Sequence, residues 1–338
     1  MTMNIIMNSL PTAMVLFCGV GGSSLGLLWA GFKELLSIDN WHVAQRNFEL
    51  NFRDGKYGHI PFLNADIMKL SAEEIMTKAL IYAGELALLV ITAPCQGFSI
   101  ASGKANPLDP RNALFLKGIE IAAAIRPKII LFENVPGMLR PEMTPIMNEI
   151  KLRFKEQLSE YYIFCFQVNA LFFGAPTDRE RLIYLCIRKD IFKFSPLFLA
   201  ATPNIGRFTI GKIAPAIRQI HFGQSKRIIR TPREFMCTIT ATEGVYYFEN
   251  DVWTPLAENE SYLKRFSSFP EDFELDASTA LKCKLIGNGV PPMLMYHLAV
   301  YIRTEILGYP PVNALPMPTN IEDPTKKQKA GILYSANT

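Results

Sequence analysis

Short apolar, β-branched runs alternate with helical patterns through the first 190 residues of the chain. The runs that predict strands are Met14–Phe17, Leu35–Asp39, Leu86–Thr92, Lys128–Phe132, Tyr161–Val168 and Arg181–Ile187. The helical patterns between them are Ser23–Ala30, Ala44–Asn51, Leu114–Ile125 and Pro145–Leu158. Such alternation is typical of an α/β fold in which a doubly wound, mostly parallel sheet carries helices on both faces.

A change in the residue pattern near position 190 predicts a domain boundary. Beyond it, prolines and glycines divide the chain into short segments without a helical period, until an apolar helical pattern returns at Val290–Ile306. We therefore predict a large domain at 1–190, a smaller irregular domain at 191–284, and a helix within 285–309 that packs back on the large domain. Residues 310–338 are rich in Pro, Asn and Lys, which indicates a poorly ordered tail.

Composition limits the classes of protein that the chain can represent. Hydrophobic residues make up 49% and charged residues 20% of the 338 residues, as expected for a globular protein with a core. No apolar run approaches the ~18 residues needed to cross a bilayer, and the N-terminal residues lack the basic leader of a secretory signal. The six cysteines include no CxxC motif, and no histidine pair has metal spacing. We therefore expect a cytosolic protein, a monomer, without a membrane anchor, a disulfide framework or a metal.

Basic residues are concentrated in one segment of the predicted small domain. Seven of them lie between Asn204 and Met236, against the single acid Glu234. They are Arg207, Lys212, Arg218, Lys226, Arg227, Arg230 and Arg233. A local excess of this kind is typical of a surface that contacts nucleic-acid phosphates, with Lys226 and Arg227 as candidate contacts. A solvated loop face would show the same pattern, and the net charge of +4 does not distinguish the two.

A glycine-rich turn follows the first predicted strand. In Phe17-Cys18-Gly19-Val20-Gly21-Gly22, the glycines allow the backbone to approach a ligand closely at the start of a helix. Ser24 replaces the final glycine of the dinucleotide fingerprint, which disfavours NAD and a dehydrogenase. Asp39 ends the second predicted strand and suits two ribose hydroxyls, while Asp66, at the end of a third strand, suits an adenine amino group. The set predicts a nucleoside cofactor without a pyrophosphate, such as S-adenosylmethionine.

A thiol and a carboxyl follow two neighbouring predicted strands. Cys95 closely follows the run that ends at Thr92, and Glu133 directly follows the next run, so both are expected at the edge where doubly wound sheets place their chemistry. Each alone is more often structural, as an inert buried cysteine or a salt-bridged glutamate. Together they fit methylation of cytosine at C5, in which a thiolate adds to C6 and an acid neutralises N3. Arg179 and Arg181 alternate at strand spacing and could place a cation near O2.

These motifs resemble those of bacterial-type DNA cytosine-5 methyltransferases, in the order and spacing of that family, over residues 14–306. The matching segments are Phe17–Gly22, Pro94–Ser99, Asp109–Asn112, Glu133–Val135, Arg179 with Arg181, Arg265–Pro270 and Gly287–Val290. Each segment alone is a weak signal, whereas seven in order are specific. The resemblance implies the Rossmann-like fold of S-adenosylmethionine-dependent methyltransferases, with a small target-recognition domain.

The resemblance also implies a role for each matched residue. Cys95 would be the nucleophile and Glu133 the partner of the ring N3. Arg181 would lie near the cytosine O2, with Arg179 in support. The cofactor pocket would be lined by Phe17, Gly19, Gly22, Asp39, Asp66, Pro94, Leu114 and Asn288. Residues 96–109 match a loop that closes over double-stranded DNA, and the DNA contacts would include Gln96, Ser99, Arg111 and Thr238.

Four positions depart from the family pattern. Val15 replaces an aspartate before the first turn, and Asn40 replaces an aromatic residue after the ribose acid. Thr177 replaces a glutamine before the two arginines, and Gly289 replaces a serine. Trp41 stands beside Asn40 and can substitute as the ring that stacks on adenine. No catalytic group is lost, so the departures bear on cofactor affinity more than on the chemistry.

Two alternatives remain open. An RNA cytosine-5 methyltransferase of the same fold would share most motifs. The tRNA-methylating branch, however, typically has Pro-Pro-Cys-Gln-Pro-Phe-Thr where this chain has Ala-Pro-Cys-Gln-Gly-Phe-Ser. A catalytically silent DNA-binding relative is disfavoured by the intact thiol, carboxyl and arginines. The expected setting is a restriction–modification system or an orphan methylase.

Overall fold

The computed structural model describes residues 10–53, 55–99, 105–192, 217–220, 227–230, 236–239 and 244–311. Its centre is a seven-stranded sheet with the strand order β3-β2-β1-β4-β5-β7-β6. The strands are β1 (Thr12–Leu16), β2 (Lys33–Asp39), β3 (Phe62–Asn64), β4 (Leu88–Ile91), β5 (Ile129–Asn134), β6 (Tyr161–Asn169) and β7 (Glu180–Arg188). β7 is antiparallel to both its neighbours, and all other pairs are parallel. The predicted α/β fold with a mostly parallel sheet is confirmed.

Helices connect and cover these strands. They are α1 (Gly22–Trp29), α2 (His42–Phe52), α3 (Ala72–Ala79), α4 (Asn112–Ile125), α5 (Thr144–Gln157), α6 (Glu260–Phe266), α7 (Thr279–Asn288) and α8 (Pro292–Tyr301), which continues as a π-helical turn through Ile306. The sequence did not predict α3, α6 and α7. α3 begins at a capping box in which Ser71 Oγ accepts from Glu74 N and the Glu74 carboxylate accepts from Ser71 N. Only Ile75 and Ala79 are buried among its eight residues, so its apolar pattern is weak.

Two apolar layers bury the faces of the large sheet. Ala13 and Val15 of β1 point into the layer formed with α1, α2 and α8. Met14 and Leu16 point into the layer formed with α3, α4 and α5, since successive strand residues face opposite sides. All four side chains are fully buried. Burial on both faces explains why β1 is a continuous apolar run in the sequence.

A second sheet lies in the region for which the sequence predicted irregular structure. It is antiparallel, in the order β11-β10-β8-β9. Its strands are β8 (Ile217–Ile220), β9 (Arg227–Arg230), β10 (Gly244–Glu249) and β11 (Val252–Pro255). Strands of four to six residues between prolines and glycines are too short for a sustained alternation, so the sequence gives no strand pattern here.

Segments that are distant in sequence pack on the first two helices. α8 lies so close to α1 that a side-chain carbon at Gly26 would meet the carbonyl oxygen of Pro292 at 2.6 Å. On α2, Asn51 Nδ2 donates to the Glu274 carbonyl and Asn51 Oδ1 accepts from Glu274 N, both at 2.9 Å. The division of the chain at residues 190 and 284 remains a prediction, and residue 274, which it assigns to the small domain, contacts a helix of the large one.

Candidate active site

The order of the strands brings the predicted site residues to one edge of the large sheet. The carboxyl ends of β2, β1, β4 and β5 are neighbours at this edge. At or just beyond these ends lie Asp39, Phe17, Cys95 and Glu133. Because β7 is antiparallel to β5, its amino end lies at the same edge and brings Arg181 there. The direction of strand addition reverses between β1 and β4, which is where doubly wound sheets bind ligands.

The turn after β1 is organised by Asp39. Gly19 N donates to Asp39 Oδ2 and Trp41 N donates to Asp39 Oδ1, both at 2.9 Å. Burial raises the pKa of the Asp39 carboxyl, and these backbone donors lower it in part. A carboxylate offers about four acceptor positions, so Asp39 retains capacity for the hydroxyl groups of a ligand.

Phe17 has a backbone conformation that is rare for a bulky residue. Its φ is 62°, in the left-handed region. Its carbonyl oxygen accepts a hydrogen bond from Thr92 Oγ1 at 2.8 Å. Thr92 follows β4, so this bond ties the glycine turn to the segment that leads to Cys95. Backbone strain of this kind clusters at ligand sites.

Gly19 and Gly22 differ in what surrounds their α-carbons. A side-chain carbon at Gly19, whose φ is 56°, would meet no atom within 4 Å, so the backbone here is open to a ligand. The same carbon at Gly22 would lie 2.1 Å from the Val290 carbonyl oxygen and 3.1 Å from the Phe269 ring. Gly22, a predicted cofactor contact, is therefore required in any case for the packing of the C-terminal segment.

The other predicted cofactor residues surround the same edge. Asp66 follows β3, which is paired with β2, and its carboxylate accepts from Met68 N at 3.1 Å. Pro94 follows β4, and Leu114 lies in the first turn of α4, both half-buried. Asn288 is the exposed last residue of α7. The structure thus places all of them near the strand ends or on elements that pack beside them.

Trp41, which the sequence predicts to stack on adenine, is half-buried beside Asp39. Lys284 of α7 lies over its ring, with Nζ 5.0 Å from the ring centroid. A cation over an indole face is a favourable arrangement. It brings α7 next to Asp39.

Cys95 lies in a tight turn that two strands hold in place. Its carbonyl oxygen accepts from Phe98 N at 2.9 Å and from Ser99 N at 2.8 Å. Phe98 is fully buried and anchors the turn in the core. Asn134, at the end of β5, donates from Nδ2 to the Ala93 carbonyl at 3.1 Å. The sequence assigned no separate role to Asn134, although its position beside Glu133 at a strand end could have indicated one.

The charges around Cys95 act on its thiol in opposite directions. Burial is the largest effect and raises the pKa of the thiol above its ordinary value. Arg181 and, more weakly, Arg179 lower this pKa, and Glu133 raises it. The net shift is upward, so the two arginines offset only part of the cost of a buried thiolate.

Arg181 and Glu133 form a buried ion pair. Arg181 Nε lies 2.7 Å from Glu133 Oε1. Arg181 Nη1 also donates to the Glu180 carbonyl at 2.6 Å, which fixes the guanidinium along its own strand. The predicted neighbours of cytosine N3 and O2 are therefore in direct contact with each other, close enough to Cys95 to act on its thiol.

Arg179 makes different contacts from those that the sequence suggested. Its guanidinium donates to the backbone carbonyls of Ile239, Gly287 and Gly289, at 2.8 to 3.2 Å. These partners are 60 to 110 residues away along the chain, so no local pattern could reveal them. Among the described residues, Arg179 has no contact with Glu133 within ion-pair distance.

Three predicted DNA contacts flank the thiol. Gln96 and Ser99 share the Cys95 turn and are half-buried. The Oε1 atom of Gln96 is buried and has no hydrogen-bond partner among the described residues, which suits a group supplied by a ligand. Arg111 is exposed at the start of α4, and its Nε and Nη2 atoms donate to the Asp109 carboxylate at 2.8 and 2.6 Å.

The remaining predicted DNA contacts are Thr238, Lys226 and Arg227. Thr238 Oγ1 donates to the Asp178 carbonyl at 2.8 Å, which docks its segment beside the start of β7. Lys226 lies outside the described residues, and only the backbone of Arg227 is described, as the first residue of β9. In the described ranges, no group of three or more His, Cys, Asp and Glu side chains is placed to hold a metal ion. The same ranges contain no helix that is long and apolar enough to span a membrane.

Comparison with known proteins identifies relatives of the chain. A family model described as C-5 cytosine-specific DNA methylase matches residues 12–220. The Type II methyltransferase M.FnuDI of Fusobacterium nucleatum is 32% identical over 176 residues, which are 52% of this chain but only 46% of M.FnuDI. M1.HphI and M.HhaI, Type II methyltransferases of Haemophilus parahaemolyticus, are 26% and 28% identical. Their matches cover 85% and 86% of this chain, and 85% and 94% of those proteins.

Solved structures share the fold. An E. coli protein described as a prophage-encoded DNA modification methyltransferase aligns with a TM-score of 0.64 at 19% identity, over 88% of this chain and 99% of that one. The methyltransferase EhMeth of Entamoeba histolytica aligns with a TM-score of 0.61 at 16% identity, over the same shares. Identities this low support the fold alone. The family model, by contrast, spans the segments that carry the glycine turn, Cys95, Glu133 and both arginines, and the chain belongs to the C-5 cytosine-specific DNA methylase family.

Proposed function

We propose that the protein transfers a methyl group from S-adenosylmethionine to C5 of a cytosine in double-stranded DNA. The observation that carries the proposal is the contact of Arg181 with Glu133 beside Cys95 at the carboxyl edge of the sheet. Attack of a thiolate on C6 requires charge compensation at N3 and O2, and a carboxyl and a guanidinium can supply it. Membership of the DNA methylase family supports DNA as the substrate.

The cofactor residues fit an adenosine-type ligand. S-adenosylmethionine, when bound, supplies an electrophilic methyl group. Asp39 would hold the ribose hydroxyls, Asp66 the adenine amino group, and Trp41 one face of the ring. The pocket would be completed by Phe17, Gly19, Gly22, Pro94, Leu114 and Asn288. The open space above Gly19 and the remaining acceptor capacity of Asp39 support this assignment.

The three central side chains would divide the chemistry. The Cys95 thiolate would bond to C6, and the electron pair of the C5–C6 double bond would move toward N3, where Glu133 would hold a proton. Arg181 would stabilise the charge that develops at O2. C5 then has the electron density to take the methyl group. Water would take the C5 proton, and the C–H electron pair would re-form the C5–C6 double bond and expel the Cys95 thiolate. Return of the N3 proton to Glu133 would restore the aromatic ring.

The cytosine would have to leave the base stack to react. C6 of a stacked base is not accessible to a thiol at the edge of a sheet, so the enzyme would extrude the nucleotide. Gln96 and Ser99 lie beside Cys95, and Gln96 Oε1 has no hydrogen-bond partner within the described ranges. Both would contact the extruded base or its surroundings. They belong to the predicted loop at 96–109, which would close over the DNA and whose residues 100–104 lie outside the described part of the chain. Closure of such a loop excludes water from the reaction.

Recognition of the DNA would fall to the small domain. Residues 191–284 would form it, with Thr238 facing the DNA. Lys226 and Arg227, together with Arg111 beside the thiol, would contact phosphates. We further propose that the protein acts as a cytoplasmic monomer, in a restriction–modification system or as an orphan methylase.

Transfer of a labelled methyl group tests the proposal. We expect S-adenosylmethionine to label plasmid DNA and not tRNA. Labelled tRNA with unlabelled DNA would favour the RNA alternative, and no labelling of either would contradict an active enzyme. Bisulfite sequencing of DNA from cells that express the protein would then locate the target site.

Replacement of the nucleophile tests the covalent route. In Cys95→Ser, transfer should fall below about a tenth of wild type, because a hydroxyl is a far weaker nucleophile than a thiolate. A duplex with 5-fluorocytosine at the target should form an SDS-stable adduct with the wild type only, because fluorine blocks the elimination that frees Cys95. Absence of the adduct with an active enzyme would contradict the route.

A further inference from the structure

We infer that Arg179 is a positioning residue that couples cofactor binding to DNA binding, because it holds a segment of each site against the catalytic strand β7. The inference rests on the proposed function, from which the two segments take their roles. It assigns Arg179 a task other than contact with the cytosine.

Arg179 bridges two separate segments of backbone. Its Nη1 atom donates to the Ile239 carbonyl at 3.2 Å and to the Gly287 carbonyl at 3.0 Å. Its Nη2 atom donates to the Gly287 carbonyl at 3.1 Å and to the Gly289 carbonyl at 2.8 Å. A guanidinium presents its donors in one plane with a fixed geometry. It therefore sets the position of the two segments relative to each other.

These bonds form away from water and without a counter-ion. Arg179 is 5% exposed, and it forms no ion pair with any described residue. Burial and the charge of Arg181 lower the pKa of its guanidinium to about 9. A buried cation is costly unless polar groups surround it, so the three carbonyls are its necessary partners. Because the buried guanidinium needs these hydrogen bonds, they hold the three carbonyls in position as well as the side chain.

The two held segments carry predicted contacts of different ligands. One of the bound carbonyls belongs to the residue after Thr238, a predicted DNA contact. The other two lie on either side of Asn288, a predicted cofactor contact. Arg179 is itself two residues from Arg181, and its backbone is fixed by Asn169, whose Oδ1 accepts from Arg179 N at 3.2 Å. One side chain thus joins the cofactor, recognition and catalytic parts of the site.

Thr177 contacts only one of the two segments. Its Oγ1 atom donates to the Cys237 carbonyl at 3.2 Å. Among the described residues, Thr177 forms no hydrogen bond to residues 287–289, which Arg179 holds. Thr177→Val removes one contact to the recognition segment and keeps the shape of the side chain. It therefore separates loosening of this segment from loosening of the cofactor segment.

The shared contact predicts positive coupling between the two ligands. A cofactor that favours one position of residues 287–289 also favours the matching position of residues 236–239, through the Arg179 side chain. Binding of either ligand should then strengthen binding of the other by the same factor, since coupling between binding sites is reciprocal. In wild type we expect a factor of about 5 or more.

Arg179→Lys tests the inference, with Arg188→Lys as the matched control. Arg188 is a buried arginine at the far end of β7, 8% exposed, and it donates to the carbonyls of Gly84 and Arg126. Its replacement should cost stability without reaching either ligand site. Calorimetry would measure affinity for S-adenosylmethionine, and fluorescence anisotropy would measure affinity for a duplex with the mapped target, each with and without the other ligand. The turnover number kcat at saturating concentrations of both ligands would be measured in parallel.

We expect a different pattern for each variant. Arg179→Lys should weaken both ligands by about tenfold or more and abolish their mutual enhancement, because one ammonium cannot replace four directed bonds. Its loss of affinity for the two ligands should exceed any fall in kcat at saturation, because the lysine keeps a positive charge near Cys95. Thr177→Val should weaken DNA binding more than cofactor binding and should keep the mutual enhancement, because Arg179 is intact, whereas Arg188→Lys should change neither affinity.

Several outcomes would overturn the inference. Unchanged affinities in Arg179→Lys would do so, as would changes that Arg188→Lys reproduces. A large loss of kcat at unchanged affinities would instead indicate that Arg179 contacts the reacting cytosine directly. If Arg179→Lys does not fold, Thr177→Val still tests the inference, because unchanged DNA affinity, or a loss of mutual enhancement while Arg179 is intact, would contradict it. A wild type that binds both ligands with coupling but transfers no methyl group would contradict the proposed function alone.

Discussion

Arg181 Nε lies 2.7 Å from Glu133 Oε1, and the two side chains are 10% and 9% exposed. Removing one partner of a buried pair leaves an uncompensated charge, at a cost of about 3–5 kcal/mol. Arg181 also lowers the pKa of the Cys95 thiol, against the burial that raises it. The pair therefore links the proposed partner of N3 to the protonation state of the thiol.

Alkylation of Cys95 should report this link. Because the pKa of the thiol is raised, its rate of reaction with iodoacetamide should still increase as the pH rises past the ordinary thiol value of about 8.5. Arg181→Gln removes a charge that lowers this pKa, so the midpoint should move to higher pH. Mass spectrometry of the peptide that contains Cys95 would measure the rate.

Arg126→Gln is the control for alkylation, because Arg126 is exposed at the opposite edge of the sheet and pairs with Glu160. It should leave the profile unchanged. A midpoint below the ordinary thiol value, or one that Arg181→Gln does not move, would contradict the electrostatic account.

Asp39→Asn should reduce cofactor affinity more than turnover. Asparagine keeps one acceptor but loses the charge and the second acceptor, and Asp39 already binds Gly19 N and Trp41 N. Loss of a charge-assisted hydrogen bond should cost about 1.5–3 kcal/mol, or about 10- to 150-fold in affinity. Calorimetry with S-adenosylmethionine would measure this loss. Asp190→Asn, which alters an exposed acid paired with Arg188, is the control, and unchanged affinity in Asp39→Asn would move the ribose contact elsewhere.

Glu34 makes stability depend on pH. It is buried on β2, accepts from Ser24 Oγ at 3.0 Å, and has one oxygen without a hydrogen-bond partner among the described residues. Burial raises its pKa from 4.5 to about 7. The folded protein therefore retains a proton that the unfolded chain loses above pH 4.5. The contribution of this proton to the free energy of unfolding is fully present below pH 4.5 and is lost as the pH rises through about 7. The total loss is about 3 kcal/mol at most.

Glu34→Gln should remove this pH dependence. Urea unfolding at pH 5 and pH 8 would measure the free energy of unfolding of both proteins. The free energy of unfolding of the variant should increase relative to that of wild type as the pH rises, because the variant carries no ionisable group at this position. Glu73→Gln, on the exposed first turn of α3, is the control. Parallel pH profiles for wild type and Glu34→Gln would refute the effect.

The edge of the sheet that carries the proposed active site could be predicted because it follows from chain order. In a sheet of parallel strands, the residues that end β4 and β5 must lie at one edge, so Cys95 and Glu133 could be placed together before any contact was known. The glycine turn and Asp39 follow by the same reasoning. The ion pair of Glu133 with Arg181 depends in addition on the antiparallel insertion of β7 between β5 and β6, which no apolar period reveals.

Long-range polar contacts could not be predicted. Arg179 bonds to carbonyls up to 110 residues away, and Asn51 pairs with a backbone 223 residues away. Backbone acceptors carry no residue type, so the sequence contains no trace of such partners. The strands of the second sheet escaped prediction for another reason, since their apolar alternation is too short to distinguish from loop sequence.

The pairing of Asn51 with Glu274 provides a direct test of how the late segment is fixed to α2. The Asn51 carboxamide is 2% exposed and forms a two-bond pair with the Glu274 backbone, with both distances 2.9 Å. Asn51→Ala removes both bonds and leaves backbone groups unpaired, which should lower the free energy of unfolding by about 2–3 kcal/mol. Arg46→Ala, on the same helix, breaks only the ion pair with Asp276. The Arg46 and Asp276 side chains are 68% and 54% exposed, so the free energy of unfolding should fall by less than about 1 kcal/mol. Urea unfolding of both variants would measure the difference. Equal losses would mean that α2 holds this segment by surface charge, and the buried carboxamide would then have no special part in joining it to the large sheet.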